Sequence, residues 1–174
     1  MFPGCACDLG PVLGQLMTLP HNTPLTQDQQ RAAGIDTPMP FAMASRVVFS
    51  ELDVLNHVNN RAYLAWFENV RVAYFHHFNV SSFGPEDPRL VLRTVNVDYR
   101  REMKINDEYI VGVRVSSFRN SSFTMQHAVW CDGVMRTFSE GVIVMLKPDG
   151  NGTMRIPDET RTAFVKRDGA VEAA

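Results

Sequence analysis

The sequence predicts an α+β fold in which one long helix is wrapped by a curved, mostly antiparallel sheet. About twenty residues from Asn59 to Phe78 contain neither glycine nor proline and are apolar over more than half of the helical circumference. Four strand-like segments follow and run almost without interruption to Pro148. A helix that is apolar around most of its surface must be enclosed by other elements, so we expect the strands to wrap it.

The chain divides into three parts by composition. Residues 1–40 carry six prolines and little hydrophobic periodicity, which favours an N-terminal extension. Residues 41–168 hold the long periodic segments and are predicted to form a single domain, since 174 residues with 45% hydrophobic content suit one core. Residues 169–174 have the sequence GAVEAA and are expected to form a frayed tail.

Two short helices are predicted outside the long one. Thr26 and Gln29 have the spacing of a capping box and Gly34 can end a helix, so the first is expected over residues 27–33. The second is expected over residues 157–166, after the last strand. Both are short enough that the central helix and the sheet should dominate the fold.

The long helix should begin at Asn59 or Asn60, because asparagine is a favoured N-cap and apolar residues follow. Its polar residues fall on one stripe, and its apolar residues cover most of the remaining surface. The stripe holds Arg61, Glu68, Asn69, Arg71 and His76, and the apolar surface holds Tyr63, Leu64, Trp66, Phe67, Val70, Tyr74 and Phe78. This distribution predicts a core helix.

The strand candidates alternate with a period of two, which is typical of strands with one buried face. The first candidate begins at Phe41, and Asp132-Gly133 has the sequence of a two-residue hairpin turn. Short connections of this kind make the predicted sheet mostly antiparallel. The positions expected on the buried face are Val95, Val97 and Tyr99; Tyr109, Val111, Val113 and Val115; Phe123, Met125, His127 and Val129; and Val142, Val144 and Leu146.

Composition and charge exclude several classes of function. A net charge of −2 and an isoelectric point near 6.2 argue against a nucleic-acid partner. No apolar run is long enough for a membrane span, and the N-terminus lacks the positive region of a secretory signal. Three cysteines, among them Cys5 and Cys7, are too few for a disulfide framework, and no Cys or His group has zinc-site spacing. We therefore expect a cytoplasmic protein with no metal and no cofactor.

The stretch ELDVLNHVNN, residues 51–60, places Asp53, His57 and Asn60 at the predicted start of the long helix. One interpretation is a helix start rich in capping residues. The other is a reaction centre, because the first N–H groups of a helix lack intrahelical acceptors and carry roughly half a positive charge, which stabilises a developing oxyanion. Asp53 could supply a base or nucleophile beside them.

Two segments carry a family resemblance. DVLNHVNNRAYLAWFE resembles the active-site loop and helix start of hotdog-fold acyl thioesterases of the 4-hydroxybenzoyl-CoA thioesterase branch. It is closer still to plant acyl-ACP thioesterases, in which an aspartate is followed by HVNN and then a tyrosine. VDYRREMK, residues 97–104, is similar to the plant family's strand that ends in arginine, arginine, glutamate and cysteine. The resemblance implies a hotdog fold and hydrolysis of acyl-CoA or acyl-carrier thioesters.

The resemblance also implies roles for individual residues. Asp53 takes the place of the family's catalytic carboxylate, acting as nucleophile or as general base. The backbone N–H near Asn60 takes the place of the donor to the thioester carbonyl. His57 and Glu102 match the plant family's histidine and strand glutamate. These four residues are the expected catalytic set.

Further residues are candidates for substrate contacts. Asn59 and Tyr63 lie beside the catalytic set, although a helix cap and a core contact are the expected structural functions of these side chains. Arg100 and Arg101, with Lys104, form a tight basic cluster that could attract the phosphates of CoA or of a phosphopantetheine carrier. A solvated basic surface is the alternative for that cluster.

Two positions depart from the plant pattern and keep other functions open. Leu55 stands in place of a catalytic asparagine, and Met103 stands in place of a cysteine. A protein that binds acyl-CoA without turnover is therefore one alternative. A hydratase or dehydratase on the same fold is another, and Asp53 ahead of HVNN favours the thioesterase over it.

One helix and one sheet leave a helix flank and the sheet edges uncovered, so an isolated protomer would be a poor globule. Hotdog proteins pair their sheets and form the acyl pocket between two helices. The resemblance therefore implies a homodimer or homotetramer. It also implies a site shared between chains.

Overall fold

The protein is represented by a computed structural model that describes residues 19–173. Over this range the chain forms one six-stranded sheet and three α-helices. The elements are α1 (Gln27–Ala32), β1 (Phe41–Arg46), α2 (Asn60–His77), β2 (Arg89–Tyr99), β3 (Glu108–Phe118), β4 (Ser122–Cys131), β5 (Val134–Leu146), α3 (Asp158–Ala163) and β6 (Val171–Glu172), with a 3₁₀ turn at Phe49–Glu51 and a π-helical turn at Phe164–Asp168. The predictions for Cys5, Cys7 and the beginning of the extension lie outside the described residues.

The sheet wraps α2, as the sequence predicts. Its strand order is β1-β3-β4-β5-β2, all antiparallel, and β6 adds to β3 in parallel. Asp132 and Gly133 join β4 to β5 with φ values of 52° and 69°, so the predicted two-residue hairpin turn is confirmed. A long helix enclosed by a curved antiparallel sheet is the hotdog fold that the sequence predicts.

Helix α2 begins where the sequence predicts, because the Asn59 side chain caps it by accepting the Arg61 N–H at 3.0 Å. Its buried side chains include most of the predicted apolar surface. Two positions differ from the prediction. Arg71, assigned to the polar stripe, is only 9% exposed, and Leu64, assigned to the apolar surface, is exposed. Arg71 lies one turn beyond Phe67 on the flank that packs against β4, and the period alone could not reveal which flank the sheet covers.

The predicted buried faces of β3 and β4 are confirmed, but the one predicted for β2 is wrong. Val95 and Tyr99 are exposed and Val97 is only partly buried. Among residues 19–173, strand β2 lies at the edge of the sheet with β5 as its single neighbour, while α2 packs over β3 and β1. The alternation on β2 therefore marks an apolar face that the described protomer leaves uncovered.

The predicted face of β5 is also wrong. Val142, Val144 and Leu146 are partly exposed, whereas Ile143 and Met145 are buried against α2 and its surroundings. Every position from 142 to 146 is apolar, so a period of two does not distinguish the faces. Packing against the rest of the core decides between them.

The described part of the extension packs on the outer face of the sheet, opposite α2. Helix α1 has the predicted capping box between Thr26 and Gln29. A second apolar cluster forms between this segment and the sheet, made of Leu25, Ile35, Met39, Ala42, Ala44, Ile110, Ala128 and Trp130. Residues 19–40 therefore form an extension that covers sheet surface.

The last residues do not form the predicted frayed tail. Val171–Glu172 pairs with β3, the Ala173 N–H donates to the Phe118 carbonyl at 2.8 Å, and Ala170 is buried. Small residues and a glycine suggested fraying, but β3 extends past the end of its pairing with β1 at Val113, and its free edge at Ser117 and Phe118 pairs with the tail. The tail completes the sheet at that edge.

Candidate active site

The loop between the 3₁₀ turn and α2 holds Asp53 in a fixed orientation. Its Oδ1 accepts the backbone N–H groups of Leu55 at 2.8 Å and His57 at 3.3 Å, which is an Asx turn. Asn56, inside the turn, has a φ of 58°, a left-handed conformation that asparagine tolerates. Within residues 19–173 the other oxygen, Oδ2, has no hydrogen-bond partner. One oxygen therefore orients the carboxylate and the other is available for chemistry.

Backbone contacts tie this loop to the domain. Leu52 and Val58 form an isolated β-bridge, and the Val58 N–H donates to the Met103 carbonyl at 2.9 Å. The Asn59 N–H donates to the Glu51 carbonyl at 2.8 Å. Met103, which stands where the plant enzymes have a cysteine, is fully buried. Its part in this site is to anchor the loop from the core.

Glu51 is a positioning residue that the sequence analysis did not single out. Its Oε1 accepts the indole N–H of Trp66 on α2 at 2.7 Å, and its Oε2 accepts the Val48 N–H at 2.9 Å. Trp66 in turn stacks on Tyr109 with 4.0 Å between ring centroids. Glu51 therefore joins the start of the loop to the second turn of the helix. Its place two residues before Asp53 is the only sequence signal for this function.

The N-terminus of α2 leaves one backbone donor open. The Arg61 N–H donates to Asn59 Oδ1, and the Ala62 N–H donates to the Asn59 carbonyl at 2.8 Å. The Asn60 N–H has no acceptor in the described part of the chain. The partial positive charge of an 18-residue helix therefore ends in a donor that can bind an oxygen from outside.

The structure brings His57 and Glu102 together, although they come from the two separate segments that carry the resemblance. His57 Nε2 lies 2.9 Å from Glu102 Oε2, and Glu102 Oε1 lies 3.2 Å from Lys104 Nζ. The contact follows from the Val58–Met103 hydrogen bond, which places the segment after β2 beside the loop. Glu102 therefore orients the His57 imidazole through one carboxylate oxygen and pairs with Lys104 through the other.

These groups line one cavity of about 250 Å³. Its walls are Asp53, His57, Val58, Asn60, Tyr63, Tyr99, Arg100, Arg101 and Glu102. All of the predicted site residues are present except Asn59, whose side chain is committed to the helix cap. The sequence therefore indicated most of this cavity, while Val58 and Tyr99 were not among the predicted site residues.

Tyr63 and Tyr99 form an aromatic wall, with 5.3 Å between ring centroids. The Tyr99 hydroxyl donates to the Asn60 carbonyl at 3.3 Å, so it supports the helix start. Burial raises the pKa of Tyr63 to about 12, and its hydroxyl therefore stays protonated at neutral pH. The sequence analysis expects Tyr99 on a buried face of the sheet. Its position next to Arg100 in the segment VDYR is the only sequence signal that it belongs to the cavity.

The two arginines of the cavity differ in their surroundings. Arg100 Nε lies 2.8 Å from Asp98 Oδ2, and its guanidinium lies 5.9 Å from the centre of the Phe138 ring. Arg101 makes no ion pair with another residue between 19 and 173. Arg101 is therefore better placed than Arg100 to meet a phosphate.

Residues 47–164 match the family described as the Thioesterase-like superfamily. The match covers more than half of the chain and includes every residue of the cavity. The chain belongs to this superfamily. Among curated proteins it is 31% identical over 91 residues to the uncharacterized protein YsmA of Bacillus subtilis strain 168, which covers 52% of this chain and 61% of that protein.

Solved structures of the superfamily are similar over most of the chain. A thioesterase-superfamily protein from Jannaschia sp. CCS1 is 41% identical with a TM-score of 0.84, covering 88% of this chain and 99% of that one. A thioesterase from Thermus thermophilus, solved with coenzyme A and zinc, is 32% identical with a TM-score of 0.67, covering 75% and 96%. The coverage of both neighbours shows that the fold is shared over at least three quarters of this chain.

Two further properties bear on the site. Between residues 19 and 173 no three His, Cys, Asp or Glu side chains are grouped so that they could hold a metal ion. In the same range no helix is both long enough and apolar enough to cross a membrane. The groups available for chemistry in the cavity are two carboxylates, two phenols, two guanidinium groups, one imidazole and the open Asn60 N–H.

Proposed function

We propose that this protein hydrolyses acyl-CoA thioesters to a free acid and CoA. The observation that carries the proposal is that the Asp53 carboxylate and the open Asn60 N–H share one cavity. Membership of the Thioesterase-like superfamily and the CoA held by the T. thermophilus relative support the substrate class. An acyl group on a carrier protein is the alternative thioester. The cytoplasmic setting predicted from the cysteines is part of the same proposal.

In this mechanism the thioester carbonyl oxygen accepts the Asn60 N–H. Negative charge develops on that oxygen as the carbonyl carbon becomes tetrahedral, and the helix dipole favours it there. A preorganised donor of this kind contributes about 2.7 to 4 kcal/mol to the transition state where such effects have been measured. The α2 N-terminus is preorganised because Asn59 and Tyr99 hold the backbone on both sides of the donor.

Asp53 supplies the base or the nucleophile through Oδ2. As a base it takes a proton from water, whose oxygen forms the new C–O bond; as a nucleophile it forms an anhydride that water then opens. In both routes the C–S bond breaks and the thiolate leaves without strong acid assistance, because its reference pKa is near 8.5. His57, held by Glu102, lines the same cavity and can donate to the substrate or to the water.

Replacement of Asp53 by asparagine tests the chemistry directly. The Oδ1 of asparagine can still accept the Leu55 and His57 N–H groups, so the loop should keep its shape while the base is lost. We expect kcat for acyl-CoA esters to fall by about 10²- to 10⁴-fold, with the unfolding midpoint nearly unchanged. Thiol release should be followed over short, long and aromatic acyl groups, with the exposed substitution Glu159→Gln as a matched control.

Two results would contradict the proposal. Hydrolysis by Asp53→Asn within a few-fold of the wild type would mean that Asp53 only closes the Asx turn. Binding of acyl-CoA by the wild type without thiol release from any ester would favour a non-catalytic acyl-CoA-binding protein. Leu55, which contributes its backbone to the loop and exposes 68% of its surface, would then be the first residue to change to asparagine.

A further inference from the structure

Beneath α2 lies a group of buried polar side chains that the proposed reaction does not use. Thr137 and Ser139 on β5 and His127 on β4 are 0%, 1% and 2% exposed, and His127 is the direct cross-strand neighbour of Ser139. Within residues 19–173, neither ring nitrogen of His127 has a hydrogen-bond partner, and nor do the two hydroxyl oxygens. Each unpaired buried polar atom has lost its hydrogen bonds to water and gained none in return, so this arrangement opposes stability and points to a missing partner.

Arg71 of α2 completes this group, which we call the distal cluster: Arg71, His127, Thr137 and Ser139. Glu68 is the one carboxylate near Arg71 in the described chain, and it lies 4.0 Å away with two thirds of its side chain in solvent. Burial and the charge of Arg71 lower the pKa of His127 to about 3, so the imidazole is neutral at physiological pH. The distal cluster therefore combines one poorly neutralised cation with neutral hydrogen-bonding groups. That combination suits a carboxylate, which a guanidinium can bind through both oxygens.

One flank of α2 connects the catalytic cavity with the distal cluster. Along this flank lie Asn60, Tyr63, Phe67 and Arg71. The Tyr63 ring lines the cavity and its hydroxyl faces Thr137 without a hydrogen bond of normal geometry. The Phe67 ring lies 5.1 Å from the His127 ring. At 1.5 Å of rise per residue, Phe67 is about 10 Å and Arg71 about 16 Å beyond Asn60.

We propose that the distal cluster binds a carboxylate at the far end of the acyl group, which makes ω-carboxyacyl-CoA esters the preferred substrates. The inference rests on the proposed function, since it assumes that the thioester carbonyl binds at Asn60. An extended chain of roughly eight carbons then reaches from Asn60 to the level of Phe67 and His127, and the Arg71 side chain can extend back to that level because helical side chains lean toward the N-terminus. A plain alkyl chain of that length would leave the buried polar atoms unpaired, whereas a carboxylate would pair with them. The cluster is closed in this structure, so the Tyr63 ring must turn aside to admit the chain.

The test compares suberyl-CoA with octanoyl-CoA, which share chain length and differ in the terminal carboxylate, using the full-length protein. We expect kcat/KM for suberyl-CoA to exceed that for octanoyl-CoA by about 10- to 100-fold, the range of one or two charge-assisted hydrogen bonds. Arg71→Met and His127→Leu should each bring the ratio to within about threefold of one. Met125→Leu, a volume-conserving change two residues from His127 on the same buried face, is the control and should keep the ratio.

Stability and binding measurements separate this proposal from its rivals. His127→Leu should fold at least as stably as the wild type at pH 7, because it replaces unpaired polar atoms by an apolar group. A clear loss of stability with an unchanged ratio would mean that the cluster is paired internally, and would overturn the proposal. Equal use of both esters by the wild type would overturn it as well, and so would a preference for 8-hydroxyoctanoyl-CoA over suberyl-CoA.

Two further outcomes are decisive. If Arg71→Met altered sedimentation but not the ratio, Arg71 would belong to a subunit interface and the proposal would fail. If the wild type hydrolysed neither ester, the thioesterase proposal would fail, and calorimetric titration would test the distal cluster separately. Tighter binding of suberyl-CoA than of octanoyl-CoA would then support the cluster, and equal binding would overturn it.

Discussion

Asp53 and the asparagines after it have two interpretations in the sequence, as capping residues and as a reaction centre, and the structure is compatible with both. The Asp53 Oδ1 closes the Asx turn and Asn59 Oδ1 caps α2, as the capping interpretation requires. The Asp53 Oδ2 and the Asn60 N–H remain open and line one cavity, as the catalytic interpretation requires. The polar residues at this helix start therefore build the loop and leave two groups without partners among the described residues.

The burial of His127 predicts how the stability of the protein depends on pH. Its pKa in the folded protein is about 3, below the ordinary value near 6.5, so the unfolded chain binds more protons between these values. Stability is therefore lost as the pH falls from 6.5 toward 3, with a contribution of about 1.4 kcal/mol per pH unit. In urea unfolding between pH 6 and pH 4, the free energy of unfolding of the wild type should fall more steeply than that of His127→Leu. The difference in slope should be about 1.4 kcal/mol per pH unit.

The control for this comparison is His76→Gln, because His76 lies exposed in the last turn of α2. This variant should keep the wild-type slope. Arg71 is the charged group of α2 that acts on His127, and its positive charge favours the neutral imidazole over the imidazolium. Equal slopes for the wild type and His127→Leu would show that His127 has the same pKa in the folded and unfolded chains.

Among the elements, the segment before β1 was predicted as an extension with a short helix, and its packing on the sheet was not predicted. Gln30 is fully buried on α1, where its Nε2 donates to the Met39 carbonyl at 3.0 Å and its Oε1 accepts the Met39 N–H at 2.9 Å. These two bonds fold the segment back on itself so that its apolar side chains reach Ile110 and Trp130. The outer face of β3 and β4 is thereby covered by the chain's own N-terminal part.

Gln30→Leu should detach this segment. The change leaves the Met39 N–H and carbonyl buried without partners, and we expect a loss of about 2–4 kcal/mol in the free energy of unfolding. Limited proteolysis should cut residues 19–40 of the variant faster than those of the wild type. Gln27→Leu, an exposed change on the same helix, should stay within about 0.5 kcal/mol of the wild type. Equal protease resistance of Gln30→Leu and the wild type would show that the apolar contacts alone hold the segment.

At the scale of the whole molecule, one edge of the sheet is covered and the other is open within the described residues. The β1 edge is covered, because Asn22 and Leu25 donate backbone hydrogen bonds to Ala44 and Ala42. The β2 edge has 11 residues and no neighbour within the described chain, and it exposes Val91, Leu92, Val95 and Tyr99. A long apolar strand edge left open is a site for pairing with another strand. We therefore place the predicted dimer contact at β2, and the homodimer or homotetramer stays a prediction.

Val95→Lys tests this placement. In a two-fold contact between β2 strands, the lysine of one protomer would face the lysine and Arg93 of the other protomer. Because like charges repel, we expect the variant to sediment as a monomer at micromolar concentration. Val134→Lys, at the hairpin between β4 and β5, is the control and should sediment as the wild type does. A wild-type protein that is monomeric at the same concentration would refute both the dimer and a site shared between chains.

What the sequence by itself determined is local. The capping box at Thr26, the start of α2 at Asn60 and the turn at Asp132-Gly133 each depend on residues a few positions apart, so the chain specifies them before any tertiary contact forms. The fold class followed from the same kind of signal, because an apolar helix and a run of short-looped strands have few ways to pack. The loop with Asp53 was found because its residues are contiguous.

What only the tertiary structure decided is which groups meet and which faces are covered. The contacts of His57 with Glu102, Glu51 with Trp66 and Tyr63 with Thr137 join distant parts of the chain, and the period of a strand carries no information about them. The buried face of β5, the covered outer face of β3 and the open edge of β2 depend on what lies above each surface. Burial is a property of the assembled molecule, and therefore the unpaired atoms of the distal cluster became visible only in the folded protein.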